Sequence, residues 1–130
     1  MDKSTVLKAF NGQFEEFLED ISILFPSNND IRTSKTGLLM LRKANPKKIV
    51  DVWYRYICVK YDEEIENENL EYFLTKDYSN DLKMDEGGAN KILEAIDKIR
   101  QPLRELDEDN TKKCVQYLKN LNTLSKIYNN

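Results

Sequence analysis

Few residues in this chain could do chemistry, and those that could are poorly placed for it. Histidine is absent, which removes both the usual general base near neutral pH and the commonest metal ligand. Two cysteines, Cys58 and Cys114, each sit among apolar neighbours at helical spacing. They read as buried free thiols, because a disulfide needs an oxidising compartment for which nothing in the chain argues. Without histidine they complete no zinc pattern. Asp77, Ser79, Asp81 and Asp85 alternate oxygen-bearing residues as a calcium loop does. The turn glycine of such a loop would fall at Leu82, Lys83 takes a ligand slot, and Gly88 stands where the closing glutamate belongs. Turn and cap residues account for that stretch better. Asp62-Glu63-Glu64 offers adjacent carboxylates with no histidine or activated nucleophile beside them. Gly87-Gly88-Ala89-Asn90-Lys91 lacks the spacing and the Lys-Ser/Thr pair of a phosphate loop. The expectation is a protein that is not an enzyme, with no cofactor and no metal site.

Charge is the one organised surface signal. Between Arg32 and Lys60 lie Arg32, Lys35, Arg42, Lys43, Lys47, Lys48, Arg55 and Lys60 against Asp51 alone, a local balance of +7. From Asp62 to Glu86 ten acids face Lys76 and Lys83, a balance of −8. The formal net charge of −3 hides this division. Three accounts compete: the blocks meet within the domain or are solvated faces; they bind a protein partner or another copy of the chain; or the basic block tracks a phosphate backbone with Trp53 or Tyr54 stacking on a base. A sequence pI of about 5.1 argues against the last. Arg42, Lys43, Lys47, Lys48, Tyr54 and Arg55 are the candidate interaction residues.

The elements that must position these groups are helices. Ser4 is placed to cap a helix running to about Leu24, with Val6, Leu7, Phe10, Phe14, Phe17, Leu18, Ile21 and Leu24 on one face. Phe25-Pro26 ends it. Asp30 caps a second helix through about Lys43, carrying Ile31, Leu38, Leu39, Leu41 and Arg42. Gly37 within it suggests a close approach of two helices. Asn45 followed by Pro46 opens a third helix to Val59, with Ile49, Val50, Trp53, Tyr56 and Ile57 on one side. The lone Trp and its tyrosine neighbours read as core and rim packing. A short segment spans Leu70 to Leu74, followed by a polar loop from Thr75 to Gly88. Gly87-Gly88 precedes a fifth helix with Ile92, Leu93, Ile96 and Ile99 inward. Pro102 kinks or ends it, leaving Leu103 and Leu106 on a short continuation. Asp109 or Asn110 caps the last helix, whose Cys114, Tyr117, Leu118, Leu121, Leu124 and Tyr128 form an apolar stripe. No segment alternates with period two, and no linker divides the chain. The prediction is a single all-α domain of five to six helices over residues 1–130.

Composition places the chain among globular proteins, with 40% hydrophobic and 33% charged residues. No apolar run approaches the roughly 20 residues that span a bilayer, and Met1-Asp2-Lys3-Ser4-Thr5 lacks the layout of a signal peptide. An intracellular protein without membrane association is expected. The succession Phe25-Pro26, Asp30-Ile31, Lys43-Ala44-Asn45-Pro46-Lys47-Lys48-Ile49, Trp53, Tyr61 and Phe73-Leu74 resembles an uncharacterised family of small proteins from large double-stranded DNA viruses of algae and protists. Residue usage rich in Lys, Asn and Ile, all with AT-rich codons, agrees with such a source. The resemblance implies a location in host cytoplasm or virion and carries no site residue. The expectation is a helical protein–protein interaction protein of such a virus, acting on a protein partner or on itself, as a minor virion component. A small nucleic-acid-binding protein using the basic segment 32–60 is the alternative.

Overall fold

Asp2 opens the first helix, its carboxylate accepting the Thr5 amide at 2.8 Å. The cap therefore lies two residues ahead of the expected Ser4, which is already inside α1 (Lys3–Leu24). The structure is a computed structural model describing residues 2–67 and 89–129, without the side chains of residues 61, 89 and 90. Val6, Phe10, Phe14, Phe17, Leu18 and Ile21 are buried along α1. Leu24, expected inward, is the last residue of α1 and is 40% exposed. The Phe25 amide donates to the Ile21 carbonyl at 3.0 Å and closes the helix ahead of Pro26.

Asn28 caps α2 (Asn29–Ala44), accepting the Ile31 amide at 3.1 Å. Asp30, expected as the cap, occupies the first turn instead, where its charge suits the helix dipole. Gly37 does not mark a close approach: a methyl group there would meet nothing within 4 Å. Asn45 ends α2, its amide bonding the Leu41 carbonyl at 2.8 Å. Its side chain caps nothing. Pro46 and Lys47 form a turn closed by the Lys48 amide on the Asn45 carbonyl at 3.1 Å, so α3 (Lys48–Trp53) starts later than the Asn-Pro signal implied.

α3 passes without a break into a π-helical turn (Tyr54–Cys58) and then α4 (Val59–Glu66). The Val59 amide bonds the Tyr54 carbonyl five residues back, the signature of the π form. After residues 68–88, which contain the predicted 70–74 segment, the Thr75–Gly88 loop, the calcium-like stretch and Gly87-Gly88 and lie outside the description, comes α5 (Ala89–Leu103). Pro102 sits in its last turn. Leu106 then lies beyond the helix, in a tight turn made by Glu105 on Pro102 and Leu106 on Leu103 rather than on a helical continuation. Asp107, not Asp109 or Asn110, caps α6 (Glu108–Tyr128) through the Asn110 amide at 2.8 Å.

Among the described residues every regular element is helical, giving an all-α domain. α1 lies along α6 and α2 along α5, while the α3–π–α4 rod crosses α6. One continuous core joins them. Phe10 and Phe14 stack 6.1 Å apart, and Trp53 meets both edge-on at 6.4 and 6.2 Å.

Candidate functional site

The six candidate interaction residues do not form one open face. Arg42 is turned inward: its guanidinium bonds Glu15 at 3.0 Å and the Asn11 carbonyl at 3.3 Å, tying α2 to α1. Lys35 similarly reaches Glu19 at 2.5 Å. Part of the basic block is therefore neutralised within the domain by acids of α1. Arg55 stands near Asp51 at 3.9 Å, one turn away. Tyr54 is half-buried against the core. Only Lys43, Lys47 and Lys48 stay together at the α2–α3 corner without an ion pair among the described residues. Lys48 is itself half-buried.

Trp53, the other stacking candidate, is 1% exposed. Its indole N–H donates to Asn122 Oδ1 at 2.7 Å. The Asn122 amide reaches Asp62 at 3.3 Å, and Asp62 accepts Lys126 at 2.5 Å. Cys58 Sγ donates toward the Asn122 carbonyl at 3.8 Å, and the Ser125 hydroxyl donates to the same carbonyl at 2.8 Å. Asn122 and Ser125 are fully buried, and the sequence stripe omitted both. Their signal was their register: Cys114, Leu118, Asn122 and Ser125 fall at four, four and three residues, the inward face of α6. The network runs from the buried indole out to Asp62 and Lys126, which are partly exposed.

Nor are the thiols poised to react. Burial pushes Cys114 up to about 12 and raises Cys58 as well, so neither supplies thiolate near neutral pH. Both are free and buried, as the sequence implied. Arg100, 4% exposed, was also missed; its Nε bonds Asp97 at 2.6 Å one turn before it. Among the described residues no three His, Cys, Asp or Glu side chains converge as metal ligands, and no helix is long and apolar enough to cross a membrane.

What lies open is a groove of about 180 Å³ between the C-terminal ends of α1 and α5 and the first half of α6. Phe17, Ile21, Leu24, Leu103 and Leu106 make it apolar, and Cys114 lies among them. Ile23, 71% exposed, stands at its mouth. Asp20, Lys113 and Tyr117 form its polar rim. Tyr117 packs on Phe17 with ring centres 5.3 Å apart and donates to Asp20 at 2.5 Å. Desolvation, reinforced by that bond, raises the phenol to about 12. Through Asp20 and Tyr117 the groove continues onto an acidic shelf bearing Glu15, Glu16 and Glu19. A second trough, of about 500 Å³, runs between α2 and α5. Its charged walls, Lys91, Glu94 and Lys98, are solvent-exposed side chains rather than buried groups placed to orient a ligand.

Comparison with protein-family models, with curated proteins and with solved structures finds no match to this chain.

Proposed function

We propose that this chain is a non-enzymatic helical domain that works by protein–protein contact through the α1–α5–α6 groove. The observation that carries this is the groove itself: an apolar floor with Ile23 and Leu24, 71% and 40% exposed, left in water at its edge. Aliphatic side chains grouped beside a cleft, with a polar rim, have the composition of a protein-binding patch. At about 180 Å³ the groove lies below the roughly 300–1,000 Å³ typical of small-molecule pockets. The buried polar side chains around Trp53, by contrast, bond one another: Asn122 takes the indole N–H, and Ser125 bonds the Asn122 carbonyl.

The alternative is nucleic-acid binding at the basic corner, favoured by the exposed Lys43 and Lys47. It lacks a stacking platform, since Trp53 is buried and Tyr54 half-buried. A viral source, a role as a minor virion component and a location in host cytoplasm or virion extend the proposal. They rest on the Phe25-Pro26 to Phe73-Leu74 resemblance.

The test is quantitative affinity capture from the native host with the tagged parent and with Ile23→Gln/Leu24→Gln, under nuclease. A protein held by the parent and lost by the variant is the expected result. Identical protein profiles, or retention of nucleic acid that depends on Lys47 and Lys48, would overturn it.

A further inference from the structure

The groove and the shelf beside it are one surface with two characters. Glu15 and Glu19 are paired with Arg42 and Lys35. Glu16 and Asp20, one helical turn apart and both exposed, have no ion pair among the described residues. Among the described residues Glu16 accepts the neutral Gln13 amide at 3.2 Å, and Asp20 accepts the Tyr117 hydroxyl. Like charges at this spacing repel mildly, and a cation placed between them relieves that repulsion. The neighbouring space, about 180 Å³, is lined chiefly by aliphatic and aromatic side chains. That lining suits aliphatic side chains.

We infer that the groove receives an amphipathic helical segment of a protein partner, its aliphatic side chains filling the apolar floor and its lysines or arginines meeting Glu16 and Asp20. Such a segment presents side chains at i, i+3, i+4 and i+7, the spacing by which helices anchor in grooves. A second copy of this chain fits less well. Two copies meeting groove to groove would set the Glu16 and Asp20 carboxylates of both against each other. The inference rests on the groove being the working surface and adds the chemistry of what enters it.

Two labelled synthetic helical peptides of about four turns test it, sharing one aliphatic face and differing only in a lysine-rich or glutamate-rich end. Fluorescence anisotropy should show the basic peptide binding at least tenfold tighter than the acidic one, with the difference shrinking as salt rises. Amide NMR shifts should map to Ile23, Leu106 and Tyr117. Glu16→Lys/Asp20→Asn should remove the preference between the peptides, and Ile23→Gln should weaken both. All three positions are exposed, so the variants keep the fold, which circular dichroism checks. Equal binding of the two peptides, binding of neither, or shifts confined to another face would overturn the inference. So would concentration-dependent self-association in sedimentation velocity that Ile23→Gln abolishes. Capture of a partner that is lost in Ile23→Gln/Leu24→Gln but unaffected by Glu16→Lys/Asp20→Asn would overturn this inference while leaving the protein-contact function standing.

Discussion

Replacing Trp53 and Asn122 together should cost little more than replacing either one alone. Trp53 is 1% exposed, wedged edge-on against Phe10 and Phe14, and gives its only N–H to Asn122 Oδ1 at 2.7 Å. Trp53→Ala forfeits about 3–5 kcal/mol in lost burial and cavity, and stranding a buried Asn122 oxygen adds about 1–3 kcal/mol. The total rivals the roughly 5–15 kcal/mol that holds a small domain together, so this variant should be largely unfolded. The informative experiment is gentler. Asn122→Leu keeps the volume but strands the indole N–H, and should cost about 1–3 kcal/mol. Trp53→Phe strands the Asn122 oxygen at a similar cost, plus a smaller cavity. In the double variant neither group is left unmatched, so the second change should cost little or nothing. A coupling energy of about 1–3 kcal/mol is therefore expected from urea denaturation followed by far-UV circular dichroism. Additivity within about 0.5 kcal/mol would mean that the indole–amide bond contributes no specific stability, and the account of the core would be wrong.

Other expectations follow from the same contacts. Cys58 and Cys114 should react with a thiol reagent only as the protein unfolds, since Cys114 at about 12 holds on the order of one thiolate in ten thousand at pH 8; rapid modification of the native protein would place a thiol at the surface. Tyr117 should ionise near 12 rather than about 10. The folded value is the higher, so its contribution to stability is complete below pH 10 and declines as pH rises toward 12; the parent's stability relative to Tyr117→Phe should fall over that window, and a flat difference would refute the shift. Lys47→Glu/Lys48→Glu should leave helicity intact, because the pair lies at the start of α3, where negative charge gains about 0.3–1 kcal/mol. The same variant should capture the protein partner as the parent does, and a sub-micromolar gel shift by the parent, lost in the variant, would transfer the function to the basic corner.

The apolar periodicity of α1 was enough to place Val6, Phe10, Phe14, Phe17, Leu18 and Ile21 in the core, because that face repeats for five turns without ambiguity. Caps were less legible. Asp2, Asn28 and Asp107 each cap while neighbours of equal capping propensity, Ser4, Asp30 and Asp109, fall inside the first turn. Local chemistry favours any of them, and packing of the helix decides. Arg42 was legible as a cation but not as a strut, since Glu15 lies in another helix. The groove was invisible in sequence for a different reason. It is made where three helices end or begin, and Leu24, counted as core from its spacing, lines it at 40% exposure.

The π turn explains why the polar half of the core was missed altogether. At about 100° per residue, a regular helix would place Cys58 about 140° around from Trp53, and Asp62 about 180° around, on the opposite side. No single partner helix could then touch all three. The Tyr54–Cys58 turn, closed by the Val59 amide on the Tyr54 carbonyl, takes up one extra residue and sets the rest of the rod back by about one position. Cys58 then lies about 40° from Trp53 and Asp62 about 80°. Asn122 accordingly meets the indole at 2.7 Å, the thiol at 3.8 Å and the carboxylate at 3.3 Å. A π insertion is often a mark of function. Here its consequence is internal: it lets one buried asparagine satisfy three groups of the crossing rod. That fixes the register of α6 against the rod, while the first half of α6 lines the groove.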